Sequence, residues 1–216
     1  MKEGIFITGT DTGVGKTVVS AILLASLRKA GIDAVPMKPV QTGCKTTKGR
    51  STAPDLEFML KFSGIKPSNA DKNLMCPYRF KPACSPSLAA TMTGKSISLA
   101  RIKKRFQKLS SQHEAVIVEG AGGLLVPVSG KKTMLDLMKM LKLPVILVAR
   151  PGLGTINHTL LSIREIKRAG LKLEGIIFNQ TQPGKPGFIE KDNLTTIARL
   201  GKVKILGCIP FNRKLA

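Results

Sequence analysis

Aromatic and acidic side chains are both scarce in this chain. Of its 216 residues none is Trp and one is Tyr, and aromatics make up 4%. Lys and Arg total 35 against 13 Asp and Glu, so the formal net charge is +22 at pH 7. Such a charge attracts polyanions, but the basic residues are spread along the whole chain, and aromatic platforms for stacking bases are few. We therefore interpret the charge as a solvated lysine-rich surface and expect no nucleic-acid partner.

Zinc-binding and membrane-spanning patterns are missing as well. The two His are isolated and no C-x-x-C spacing occurs, so we expect no zinc site. Charge-free stretches such as residues 17–27 are far shorter than the roughly 20 apolar residues that cross a bilayer. The amino terminus runs into a predicted strand without a signal-peptide layout. These features predict a cytoplasmic protein without a membrane partner, and a reducing compartment suits its four cysteines.

Short apolar runs alternate with helical stretches along the chain. The apolar runs predict strands buried on both faces, at residues 5–8, 34–40, 115–119, 145–149, 175–178 and 204–209. Helical patterns lie between them, at residues 16–30, 54–62, 102–109, 134–141, 156–169 and 189–200. Residues 65–97, rich in Pro, Ser and Asn, are the least interpretable segment. The alternation predicts a single α/β domain over residues 1–216, with a doubly wound, mostly parallel sheet flanked by helices and its function at the carboxyl ends of the strands.

A glycine-rich loop between the first strand and the first helix is the strongest local signal. Residues 9–17 are GTDTGVGKT, which suits a phosphate-binding loop whose backbone N–H groups and helix start face an anion. Lys16 would reach the outer phosphates, and the Thr17 hydroxyl would bind Mg²⁺. Gly9 stands one position earlier than the strict pattern requires, so an ordinary glycine-rich turn is the alternative interpretation.

Four further segments carry candidate chemistry. Glu119 ends an apolar strand before a predicted glycine-rich turn and would complete a Mg²⁺ site. Lys38 closes the second strand and would point toward the same phosphates. Asp55 begins a helix, where an acidic residue is also favoured by the helix dipole alone. Residues 152–157 follow another buried strand, and they would either cap the next helix or offer N–H groups to an anionic substrate.

Together these segments resemble the dethiobiotin synthetase family. The motifs occur in the family's order over about residues 5–212: GTDTGVGKT (9–17), KPVQTG (38–43), PDLE (54–57), SP (85–86), VEGAGG (118–123), LPVILV (143–148), LGTINH (153–158) and Asn179. The unusual spacing of the phosphate loop is itself the family's form. The resemblance implies a fold like that of other phosphate-loop nucleotide hydrolases.

The resemblance also implies a reaction, its substrates and a homodimer. A member of this family is a ligase of biotin biosynthesis, which converts 7,8-diaminononanoate, CO₂ and MgATP to dethiobiotin, ADP and phosphate. One amine forms a carbamate with CO₂, the carbamate attacks the γ-phosphoryl group, and the second amine closes the ring and expels phosphate. The substrate-binding helix start comes from the partner subunit, so each site of the homodimer is composite.

Site residues follow from the matched motif positions. The family pattern implies catalytic roles for Lys16 and Lys38. The implied Mg²⁺ ligands are Thr17, Asp55 and Glu119. The implied substrate contacts are Thr42, Gly154, Thr155, Ile156 and Asn157. The implied nucleotide contacts are Gly13, Val14, Gly15, Lys16, Thr17, Val18, Asp55, Glu119, Gly120, Ala121, Gly122, Asn179, Gln180, Pro210, Phe211 and Asn212.

Two other functions have to be weighed against this one. A related amidotransferase would carry a glutaminase domain, for which 216 residues leave no room. A phosphate-loop ATPase of the partitioning type could use the basic surface to bind DNA. That class carries a signature lysine where this chain has Asp11, which argues against it.

Overall fold

The computed structural model describes residues 3–47 and 50–213. Within them the strands are β1 (Glu3–Gly9), β2 (Ala34–Met37), β3 (Val40–Gln41), β4 (Lys45–Thr47), β5 (Arg50–Thr52), β6 (Tyr78–Arg79), β7 (Ala115–Gly123), β8 (Pro127–Ser129), β9 (Lys132–Thr133), β10 (Val145–Ala149), β11 (Leu173–Asn179) and β12 (Ile205–Ile209). The helices are α1 (Lys16–Lys29), α2 (Pro54–Ser63), α3 (Asn69–Met75), α4 (Pro86–Met92), α5 (Leu99–Gln112), α6 (Met134–Leu141), α7 (Thr155–Arg168) and α8 (Phe188–Gly201). The strands of the largest sheet alternate with helices as the sequence predicts, whereas six short strands that it does not predict as separate strands (β3, β4, β5, β6, β8 and β9) form three small sheets.

A six-stranded parallel sheet forms the core, in the order β12–β11–β10–β1–β7–β2. Every residue of β10 is buried, and so are the first six of β7, because helices flank the sheet and leave its central strands no solvent-facing side. The predicted α/β architecture is confirmed. That residues 1–216 form a single domain stays a prediction.

The position of β1 determines where a ligand can bind. β1 lies between β7 and β10, and the chain passes from it through α1 to β2 on one side, whereas β10, β11 and β12 build the other side. Strand order therefore reverses beside β1, and the crevice at the carboxyl end of such a strand is where open α/β sheets bind ligands. The glycine-rich loop begins at that end.

The predicted strand over residues 34–40 is wrong in its second half. β2 ends at Met37, and β3 pairs with β6 in a separate two-stranded sheet. The backbone N–H of Lys38 donates to the carbonyl oxygen of Met75 at 2.8 Å instead of to β7, and Pro39 has no N–H to continue the ladder. The break redirects the chain just where the candidate lysine stands.

The glycine-rich turn expected after Glu119 is also absent from the described chain. β7 continues through Gly123, which pairs with Gly9 of β1 after a register shift. Gly122 lies at this shift with a φ of 64°, in the left-handed region that glycine adopts most readily. Residues 65–97, which the sequence left unassigned, contain α3, β6 and α4. No helix in the described ranges is long and apolar enough to cross a membrane.

Candidate active site

The glycine-rich loop has a backbone that glycine adopts most readily. Gly13 and Gly15 have φ angles of 73° and 93°, in the left-handed region that disfavours other residues. Any side chain at Gly15 would also collide with the amide of Asn179. The Lys16 ammonium donates to the carbonyl oxygen of Asp11 at 2.8 Å, and Lys16 is only 7% exposed. The loop therefore buries Lys16 beside backbone N–H groups that can bind a phosphate.

Lys38 is the centre of a buried cluster of charges. Its Nζ donates to Oε1 of Glu119 at 2.6 Å, to Oδ2 of Asp55 at 2.7 Å and to the carbonyl oxygen of Gly120 at 3.1 Å. These three acceptors match the three hydrogens of an ammonium group. They lie on α2 and β7, so Lys38 joins the end of β2 to both elements.

A cavity of about 640 Å³ opens beside this cluster, and we call it the lysine cavity. Its lining includes ten residues predicted from the sequence: Gly13, Gly15, Lys16, Thr17, Lys38, Thr42, Asp55, Glu119, Ala121 and Gly122. The structure therefore brings together side chains from the glycine-rich loop, α1, α2 and β7, as well as both candidate lysines.

The two lysines have opposite pKa shifts. Burial, together with the nearby charge of Lys38, lowers the pKa of Lys16 to about 8. Burial would also lower the pKa of Lys38, but its ion pairs with Glu119 and Asp55 outweigh burial and raise that pKa above its ordinary value. Burial opposes ionisation of Asp55 too, yet Lys38, with help from Gln41, holds the pKa of this carboxyl below its usual range. Lys38 therefore keeps its charge at neutral pH, and Lys16 is able to gain or lose a proton near pH 8.

The oxygens around Lys38 can hold a divalent cation. The Thr17 hydroxyl donates to Oε1 of Glu119 at 2.9 Å, and Asp55 supplies a second carboxylate. Within the described ranges, Oε2 of Glu119 is buried without a hydrogen-bond partner, so it retains capacity to bind a ligand. Hydroxyl and carboxylate oxygens are the ligands that Mg²⁺ prefers, and the set therefore fits this ion.

A second cavity, of about 260 Å³, borders the same loop, and we call it the asparagine cavity. The predicted nucleotide residues in its lining are Gly13, Gly15, Val18, Asn179, Gln180, Pro210, Phe211 and Asn212. Asn179 is 5% exposed, and its Nδ2 donates to the carbonyl oxygen of Val14 at 3.2 Å. Because Gly13 and Gly15 border both cavities, the glycine-rich loop lies between them.

The predicted substrate loop lies apart from the lysine cavity of the same chain. Gly154 and Thr155 line a third cavity, of about 370 Å³, and the Thr155 hydroxyl contacts that of Thr159 at 3.1 Å. Ile156 is half-buried and Asn157 is exposed. Among the described residues, these four are not in the lining of the lysine cavity.

Two buried amides at the site escaped the sequence analysis. The Oε1 of Gln41 accepts the backbone N–H of Asp55 at 3.2 Å, and Nδ2 of Asn193 donates to the carbonyl oxygen of Pro151 at 2.9 Å. Gln41 lies inside a motif that the sequence analysis used, so it could have been considered. Asn193 lies in the middle of a helical pattern. Its hydrogen bond to Pro151 joins two distant segments of the chain, and nothing in the sequence indicates such a contact.

Comparison with known proteins identifies a family. The family model described as an AAA domain matches residues 3–216. The ATP-dependent dethiobiotin synthetase BioD of Anaeromyxobacter dehalogenans (strain 2CP-C) is 43% identical over 215 residues, which are 99% of this chain and 92% of that relative. The enzyme of the same name from Halalkalibacterium halodurans is 41% identical over 211 residues, covering 97% of this chain and 85% of that relative.

Solved structures share the fold at much lower identity. The MinC:MinD cell division complex of Aquifex aeolicus superposes with a TM-score of 0.63 at 15% identity, over 98% of this chain and 83% of that one. A ParA family ATPase from Chlorobium tepidum gives 0.58 at 13% identity, over 99% and 87%. These similarities confirm the predicted phosphate-loop fold, but at such identity they do not favour the partitioning-type function. The close relatives and the shared motifs agree, and this chain belongs to the family of ATP-dependent dethiobiotin synthetases.

Proposed function

We propose that this chain catalyses the ATP-dependent carboxylation and ring closure of 7,8-diaminononanoate with CO₂, which yields dethiobiotin, ADP and phosphate. One observation carries the proposal: Lys16, Lys38, Thr17 and two carboxylates converge on one cavity at the carboxyl edge of the sheet. The reaction joins two anions, a carbamate and a triphosphate, and a cavity that holds two lysines and oxygen ligands for a divalent cation suits it. The proposal includes a cytoplasmic location, where ATP is available.

In this proposal the nucleotide spans the glycine-rich loop. Its base occupies the asparagine cavity beside Asn179 and Phe211, and its phosphates extend across Gly13 and Gly15 toward Lys16. The two glycines border both cavities, which supports this path. The start of α1 adds the partial positive charge of a helix amino terminus.

The carbamate would lie in the lysine cavity between Thr42 and the γ-phosphate. An amine of the substrate adds to CO₂ and loses a proton, and the carbamate oxygen then bonds to the γ-phosphorus as ADP leaves. The second amine attacks the carbamoyl carbon, loses a proton and expels phosphate. Lys38 lowers the repulsion between the reacting anions, which must approach to about 3–3.5 Å for in-line attack.

Thr17, Asp55 and Glu119 would bind Mg²⁺ in this site. When bound, the ion would neutralise charge on the β- and γ-phosphates. Lys38 already contacts both carboxylates and so holds them in place before nucleotide binds.

The proposal also includes a homodimer in which each chain completes the other's site. Leu153 is 92% exposed, and Leu125 and Leu161 are 62% and 52% exposed. Leu125 and Leu161 line one cavity and Leu153 lines another, and His158, which follows the predicted substrate loop, borders both. A second copy would cover these exposed leucines. A dimer across this surface would bring one chain's Gly154–Asn157 helix start to the other chain's lysine cavity, which explains why one chain keeps them apart.

Replacing Leu161 by aspartate is expected to dissociate this dimer and to lower activity at least tenfold, because a charge would be buried in the interface and the composite site would be lost. Light scattering and phosphate release would measure both effects. Leu200→Asp is the matched control, since Leu200 is 57% exposed on α8. A Leu161→Asp protein that is dimeric and fully active would contradict this interface.

ATP binding is expected to take up about half a proton per site at pH 8, because Lys16, with a pKa of about 8 in the free protein, is half charged there. A bound triphosphate favours the charged form and raises this pKa, so a proton enters with the ligand and affinity falls as pH rises above 8. Calorimetric titrations in two buffers of different ionisation enthalpy would measure the uptake. A binding enthalpy that does not depend on the buffer would refute it.

The function itself is tested by incubating the protein with MgATP, bicarbonate and 7,8-diaminononanoate. Phosphate release that requires the diamine, with dethiobiotin as the product, is the expected result. ATP hydrolysis that does not respond to the diamine, and responds instead to DNA, would favour the partitioning-type alternative.

A further inference from the structure

The side chain of Gln41 forms hydrogen bonds to two residues that line the lysine cavity. It is 5% exposed and belongs to β3, three residues after Lys38. Its Oε1 accepts the backbone N–H of Asp55 at 3.2 Å, and its Nε2 donates to the carbonyl oxygen of Thr42 at 3.0 Å. One amide therefore contacts both the proposed metal-binding residue and the proposed carbamate-binding residue.

The bond to Asp55 substitutes for a missing helix cap. The first N–H groups of a helix have no partner within the helix, and the residue at the N-cap position of α2 is Ala53, which has no polar side chain to accept one. Gln41 supplies the acceptor from a different part of the chain. It thereby fixes the first turn of α2, which carries the carboxylate of Asp55.

The backbone of Gln41 is itself fixed. Its carbonyl oxygen accepts the N–H of Phe80 at 2.9 Å, and it pairs with Arg79 in the small sheet formed by β3 and β6. A buried side chain on an anchored strand has little freedom, so its amide can hold both partners at a constant separation.

We propose that Gln41 is a positioning residue, which holds the carboxylate of Asp55 and the backbone at Thr42 in the relative positions that the metal–nucleotide complex and the carbamate require. This inference rests on the proposed function, because that function assigns Asp55 to the cation and Thr42 to the carbamate. Gln41 also borders the lysine cavity, but in this inference it acts through Asp55 and Thr42.

Gln41→Leu keeps the volume of the side chain but removes both hydrogen bonds. Calorimetry measures how much Mg²⁺ tightens the binding of a non-hydrolysable ATP analogue, compared with binding in EDTA. Gln41→Leu is expected to reduce this metal-dependent gain about tenfold and to leave the affinity in EDTA within about twofold of the parent protein, because the glycine-rich loop is untouched. A loss of structure alone would lower both affinities together.

Gln41→Glu separates the two bonds. It keeps an acceptor for the Asp55 N–H, has no donor for the Thr42 carbonyl and adds a carboxylate beside Asp55. A further negative charge does not weaken cation binding, so the metal-dependent gain is expected at least to persist, while the KM for the diamine rises several-fold. Tyr78→Phe is the matched control, because it removes the acceptor of the Ser98 N–H, a 2.9 Å bond at the start of α5, away from the lysine cavity. It is expected to leave both measurements unchanged.

The assay of the parent protein tests the proposed function, and the assays of the variants test the role of Gln41. Diamine-dependent phosphate release by the parent protein tests the proposed function, and without it that function fails whatever the variants do. If the parent is active, a metal-dependent gain and a diamine KM that are both unaltered in Gln41→Leu would overturn the positioning role. If Gln41→Leu is unfolded at the assay temperature, Gln41→Glu decides, and a normal KM for the diamine in that variant would overturn the proposal.

Discussion

Replacing Lys38 by methionine is expected to lower the rate of dethiobiotin formation by on the order of 10³-fold and to destabilise the metal-free protein. The rate falls because the cation that offsets repulsion between carbamate and triphosphate is gone. Stability falls because Asp55 and Glu119 lose their shared partner while remaining at the site. Breaking a buried ion pair from one side costs about 3–5 kcal/mol.

The two effects of Lys38→Met can be separated by measurement. Product formation with saturating MgATP reports the catalytic effect, and urea unfolding with and without Mg²⁺ and an ATP analogue reports stability. Mg²⁺ should restore part of the lost stability, because the ion supplies positive charge to the same carboxylates. Lys72→Met is the control: Lys72 forms an ion pair with Glu57 at 2.9 Å, with side chains 29% and 40% exposed, and such surface pairs contribute little. A fully active Lys38→Met protein would remove this lysine from the mechanism.

Glu119→Gln is expected to lower kcat/KM for MgATP by about 10²–10³-fold while the amide keeps the size of the side chain. Glu119 is 1% exposed, accepts the Thr17 hydroxyl and pairs with Lys38. Without its negative charge, the proposed Mg²⁺ site keeps a single carboxylate. Lys38 would then pair with Asp55 alone, and this stronger competition for Asp55 weakens the cation site further.

Titrating Mg²⁺ at constant ATP would measure the effect of Glu119→Gln. The variant should need far more Mg²⁺ for half-maximal rate. Glu57→Gln should behave like the parent, because Glu57, two residues after Asp55 on α2, is not in the lining of the lysine cavity. Normal turnover of Glu119→Gln at limiting Mg²⁺ would argue against a metal-binding role.

Some parts of the candidate site could be predicted from the sequence, and others could not. The glycine-rich loop was predictable because its chemistry is local: the loop, Lys16 and Thr17 are consecutive in the chain. Asp55 and Glu119 were predicted as Mg²⁺ ligands and Lys38 as a catalytic residue, and only the structure shows that one ammonium contacts both carboxylates. Gln41 and Asn193 were missed as site residues because a buried amide has no pattern of its own, and its role depends on which backbone groups come within reach.

The fold was likewise predicted correctly in some elements and wrongly in others. Strands such as β10 were predicted with correct bounds, since an unbroken apolar run that is buried on both faces has few other solutions. The break after Met37 was missed, although Pro39 is a signal for it in the sequence. Its other cause is a hydrogen bond between Lys38 and Met75 in α3, a helix in the segment that the sequence left unassigned.

The amino-acid sequence by itself determined the alternation of strands and helices, the phosphate-binding loop and the family, because each is encoded in residues close together or in motifs of fixed order. The tertiary structure alone decided that β7 continues past Glu119 beside β1, that Lys38 bridges Asp55 and Glu119, and that the predicted substrate loop lies outside the lysine cavity of its own chain. Those features depend on distances between segments tens of residues apart, and such distances are set by how the sheet orders its strands and how the helices pack against it.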